Sequence, residues 1–120
     1  MNSTQIQVTR NMRGDLQAET DIELHRIDDK HVRVARITTS KGGRGVSCLV
    51  QVGSREDVGA SGFVGFSFML VGDYRATLAS EAGRCTEKTV ARVHAAGLAA
   101  WPGIEAAVRA KYPAPELQAA

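Results

Sequence analysis

Between Lys30 and Arg55 the chain carries six cations, Lys30, Arg33, Arg36, Lys41, Arg44 and Arg55, and no Asp or Glu. Acids stand on both sides: Asp21, Glu23, Asp28 and Asp29 before the run, Glu56 and Asp57 after it. The chemistry that suits such a segment is phosphate neutralisation, in which Lys and Arg displace the counterions of a polyanion. Lys41 and Arg44 lie in the stretch SKGGRG, whose glycines would let the backbone come close to a ligand. The competing reading is a solvated surface. There the cations pair across a hairpin with Asp21, Glu23 and Asp28, each exposed pair contributing about 0–1 kcal/mol. Lys41, Arg44 and Arg55 lie beyond the reach of that pairing.

Other chemistry finds less support. His25, His31, His94, Cys48 and Cys85 show neither CxxC nor HExxH spacing, so no metal and no cofactor is expected. Cys85 with His94 as its base is the one catalytic pairing these residue types suggest, and nothing in the surrounding sequence marks Cys85 as activated. GxxxxGK[ST], GxGxxG and GxSxG are absent. The expectation is therefore a non-enzymatic protein. Single-strand binders stack bases on aromatic rings, but Phe63, Phe66, Phe68 and Tyr74 cluster in the most apolar stretch, away from the cations, and read as core.

The elements that position these residues follow from hydrophobic period. With 120 residues, 43% hydrophobic and 23% charged, the chain suits one domain over residues 1–112 with a loose tail over 113–120. A net charge of +2 is too small to imply nucleic acid, so the uneven distribution carries the signal. Ile6 and Val8 alternate with polar residues as a short strand, and Asn11 to Asp15 form a turn. Leu16, Ala18, Thr20, Ile22 and Leu24 share one face of a second strand whose other face is acidic. His31–Thr39 returns antiparallel. A two-residue loop of Asp29 and Lys30 would set Ile22 opposite Ile37 and Glu23 opposite Arg36. Val46–Val52 is the fourth strand and Phe63–Val71 the fifth, apolar on both faces and ended by Gly72 and Asp73. Tyr74–Ser80 is ambiguous between strand and helical turn.

After Gly83 the period changes. Val90, Val93, Gly97, Trp101, Ile104 and Val108 form one helical stripe, with Thr86 as N-cap and a kink or break near Pro102. The fold class is α+β: an antiparallel sheet of about five strands followed by a C-terminal helix. One helix covers one sheet face. The other calls for a second protomer, a partner, or strong curling of the sheet, and a homodimer is the first of these. Two cysteines far apart suggest free thiols, and the absence of a long apolar run suggests a cytoplasmic protein without membrane contact.

The order of elements resembles the outline of the Whirly and positive-cofactor groups of single-strand DNA binders. It is a likeness of element order that carries no signature residues. Two functional expectations follow from the residues themselves. The first is a non-enzymatic nucleic-acid-binding module, single-stranded or shape-reading, that uses Lys30, Arg33, Arg36, Lys41, Arg44 and Arg55. The alternative is a protein-interaction or inhibitor module with an uncovered apolar sheet face, its cations recognising an acidic protein.

Overall fold

The computed structural model describes residues 6–56 and 68–115, with only the backbone of Asp73. Phe63 and Phe66, and with them the start of the expected fifth strand, lie outside the described residues, as does the end of the tail.

Five antiparallel strands form one sheet in sequence order: β1 (Thr9–Arg10), β2 (Leu16–Arg26), β3 (His31–Gly42), β4 (Gly45–Glu56) and β5 (Phe68–Ala82). Two helices follow, α1 (Glu87–Ala100) and α2 (Pro102–Lys111). The α+β expectation holds, and so does the position of the helix break. Trp101 keeps right-handed helical angles, its N–H reaches the Gly97 carbonyl, and the Glu105 N–H reaches the Trp101 carbonyl. The hydrogen-bonded path thus passes through the Pro102 break without reversing, because proline at the first position of α2 has no N–H to leave unpaired. Thr86 caps α1, its Oγ1 accepting from the Thr89 N–H at 3.1 Å.

Several boundaries differ from the sequence expectation. Ile6 and Val8 pack against the core but form no strand, and β1 begins at Thr9. The β2–β3 register is Asp21 opposite Arg36 and Ile22 opposite Ala35, two residues from the expected one. Two local features cause the shift. Asp28 closes a longer turn, its carboxylate accepting from the Lys30 N–H and from His31 Nδ1, and a bulge between Glu23 and His25 sets Leu24 out of register. The Leu24 carbonyl accepts from Arg109 of α2 at 2.7 Å. A shift of two preserves the faces, so Ala18 and Leu24 still point into the core.

SKGGRG is not a loose connection. β3 and β4 stay paired to Gly42 and Gly45, leaving a two-residue turn of Gly43 and Arg44. Gly43 has φ +61, and Arg44, like the other described non-glycine residues, does not have positive φ, as a II′ turn requires. Nor do Gly72 and Asp73 end β5, which runs through them to Ala82. Gly72 at φ +64 sits in a bulge that leaves Val71 to Tyr74 opposite Val52.

The helices cover one face. Val90, Val93, Trp101 and Val108 pack on Ala35, Ile37, Cys48, Val50 and Val52, all buried. Gly97 sets how close α1 comes: a Cβ there would overlap Cys48 Sγ. On the opposite face Arg36 donates twice to Asp21, at 2.8 and 3.0 Å, and its guanidinium lies 4.0 Å from the centre of the Phe68 ring. Phe68 in turn occupies the space that a side chain at Gly53 would need. Among the described residues no helix is long and apolar enough to cross a membrane.

The close approach predicts that Gly97→Ala lowers unfolding free energy by about 1–3 kcal/mol in urea titration, the usual cost of overpacking. Gly103→Ala, with open space around the added methyl, should be neutral or slightly stabilising. Equal effects at both positions would contradict the account.

Candidate polyanion-binding cleft

The order of an antiparallel meander brings the β1–β2 turn, the β3–β4 turn and the β5–α1 connection to one end of the sheet. Each delivers a cation. Arg10 ends β1, Lys41 and Arg44 flank and form the β3–β4 turn, and Arg84 follows β5. These four side chains line one recess of about 610 Å³ together with Gly14, Asp15, Leu16, Gly43, Gly45, Gly83, Cys85 and Thr86. Among the described residues Asp15 is the one acid in that lining.

Backbone chemistry fixes the three connections. Asn11 Oδ1 accepts from the N–H groups of Arg13 and Asp15, and Gly14 turns the chain at φ +84. Arg10 donates to the Gly14 carbonyl at 2.6 Å, which holds its guanidinium across that turn. The Gly83 N–H donates to the Arg44 carbonyl at 3.1 Å, tying the hairpin tip to the entrance of α1. Lys41, Arg44 and Arg84 are exposed and form no ion pair with the described residues. The recess therefore carries uncompensated positive charge, and the dipole of α1 adds to it at the Thr86 end.

The six cations singled out in the sequence do not share a surface. Lys41 and Arg44 meet in the cleft. Lys30 sits in the β2–β3 turn at the other end of the sheet, and Arg33 pairs with His25 nearby. Arg36 and Arg55 lie on the face opposite the helices and share one acid, with Arg55 3.3 Å from Asp21. The side-chain hydrogen bonds to Asp21 raise the Arg36 pKa further above its ordinary value. Arg36 is thus neutralised by Asp21, in place of the expected Glu23. Arg10 and Arg84 escaped the sequence reading because they lie outside the acid-free run. Each stands beside a glycine turn, and an alternating up-and-down strand order would have brought those turns together.

The remaining reactive residues are engaged elsewhere. His94 is 1% exposed, with Nε2 2.8 Å from Thr20 Oγ1 and Nδ1 2.7 Å from Thr39 Oγ1. A neutral imidazole satisfies both threonines, donating to one and accepting from the other. Both nitrogens being occupied, His94 has no free site to serve as base for Cys85. Burial pushes the Cys48 thiol up, partly offset by its hydrogen bond to Thr39. His25 is held below its ordinary range by burial first and then by Arg33 and Arg109. Among the described residues no three of His, Cys, Asp and Glu come together as a metal site.

Compared with protein-family models, curated proteins and solved structures, the chain matches none.

Burial holds the His94 pKa below its ordinary 6.5. Protons then bind the unfolded chain in preference, and stability falls as pH drops below about 6.5. His94→Gln removes this dependence at the cost of a buried hydrogen bond, about 1–3 kcal/mol. Urea titration should show the gap between wild type and variant narrowing from pH 7 to pH 5. A constant gap would mean that His94 titrates normally.

Proposed function

We propose that this protein is a non-enzymatic nucleic-acid-binding module that engages single strands through the cleft of Arg10, Lys41, Arg44 and Arg84. The observation that supports it is the meeting of four cations from three chain connections around one recess with a single acid among the described residues. Clustering unpaired like charges opposes folding by repulsion, and a polyanion relieves it. Among the described residues no aromatic lines the recess. Recognition therefore rests on phosphates, with little preference among bases, and the salt dependence is the signature. In this reading Lys30, Arg33, Arg36 and Arg55 stand outside the site.

Binding of an acidic protein is the second reading. Met69 and Leu70, 68% and 56% exposed at the start of β5, would supply its apolar contact, or that of a second copy. Heparin separates the two, since it displaces nucleic acid from a cationic cleft and leaves an apolar contact largely intact. Light scattering showing only a 12.8 kDa species would remove the second copy.

Fluorescence anisotropy with a labelled single-stranded oligonucleotide tests the proposal. Four phosphate contacts, the most that the four cations can make, give a slope of log K against log salt of about −3, at 0.7 per contact. Lys41→Ala with Arg44→Ala should roughly halve that slope, while Lys30→Ala and Arg55→Gln leave it unchanged. Absence of binding at low salt, or equal losses in all variants, would overturn the proposal.

A further inference from the structure

The cleft differs from the track that a strand's interior would need. A single strand bound along its length requires cations repeated at the spacing of its phosphates. Here four cations converge on one recess, and several of those elsewhere are held by acids. Arg36 and Arg55 lie on Asp21, Arg92 on Glu81 and Arg109 on Glu105. Lys30 and Arg33 stand at the far end of β3 from Lys41, about 25–35 Å away at 3.3 Å per residue. Against the inner wall stand Cys85 and Thr86, the two residues that lead into α1. The first N–H groups of a helix have no partner within it, and its dipole favours an anion there. Glu87 lies in the first turn of α1 but does not line the recess.

A concentrated, one-ended positive site of this kind matches a concentrated negative group. A phosphomonoester carries about −1.5 to −2 at neutral pH and three acceptor oxygens, whereas a phosphodiester within a strand carries one charge. Guanidinium groups from three directions can each take an oxygen of a terminal phosphate, while an internal phosphate has two of its oxygens esterified. We infer that the cleft takes a phosphomonoester, the phosphorylated end of a strand, rather than the strand's interior. The inference rests on the proposed nucleic-acid reading and specifies its ligand. Cys85, half-buried in the lining, then reports occupancy, because a ligand seated there shields its thiol.

The experiment compares oligonucleotides of one sequence bearing a 5′-phosphate, a 3′-phosphate or hydroxyl ends, and a circular form. Affinity is read by anisotropy at fixed salt, and Cys85 alkylation by iodoacetamide is followed in parallel. A phosphorylated end should bind about tenfold or more tightly than hydroxyl ends or the circle, and should slow alkylation of Cys85. Arg84→Ala should remove that preference without lowering the thermal unfolding temperature. Equal affinity for phosphorylated, hydroxyl and circular strands would overturn the inference and leave the proposed function standing. Failure of every strand to bind would overturn both. Protection of Cys85 by a nucleoside 5′-monophosphate, at the same concentration as by the phosphorylated strand, would uphold the phosphomonoester site and overturn the strand as its ligand.

Discussion

The seating of α1 on the sheet is the constraint on which the rest depends. Gly97 lets the helix backbone approach Cys48 of β4 more closely than any larger residue would allow. A few residues earlier His94 reaches Thr20 of β2 and Thr39 of β3. One helix is thereby registered against three strands, by a packing limit and by two hydrogen bonds made without net charge. Close packing of this kind resists small displacements, so the start of α1 is fixed relative to the strand ends. The cleft is a consequence: with α1 so placed, Arg84, Cys85 and Thr86 stand against the β3–β4 turn, and the Gly83–Arg44 hydrogen bond closes the join.

Charge is handled in opposite ways on the two parts of the surface. On the face away from the helices, Asp21 takes up both Arg36 and Arg55, and Phe68 lies against the Arg36 guanidinium. Partly buried, bidentate and stacked, this group is the arrangement in which an arginine contributes to a fold. At the end of the sheet the cations have turns for neighbours and, among the described residues, one acid beside them. Local agreement between sequence and fold is the rule in stable domains, and departures from it gather where function is carried. The cleft is such a departure, and the proposed function rests on it.

Much of the fold was legible in the sequence, because periodicity survives errors of register. Leu16, Ala18, Thr20, Ile22 and Leu24 of β2 face the core whether Ile22 meets Ile37 or Ala35. The helical stripe from Val90 to Val108 and the Thr86 cap reflect local rules that tertiary structure did not override. What the sequence hid lay in glycine and in connectivity. Gly72 with Asp73 reads as a strand end, yet positive φ serves a bulge as well as a turn, and β5 continues. The acid-free run from Lys30 to Arg55 suggested one basic surface, but alternation and the length of β3 scatter it over both faces and both ends. Only Lys41 and Arg44 kept company, and their partners came from Arg10 and Arg84, residues near in space through the meander and far apart in sequence.

The central claim, that the cleft at this end of the sheet is the binding site, is tested most directly by amide chemical-shift mapping during titration with a 5′-phosphorylated single strand. The account predicts the largest changes at Gly14, Gly43, Arg44, Gly83, Arg84 and Cys85. Changes centred instead on Thr38, Gln51 and Arg55, across the opposite face of the sheet, would contradict it.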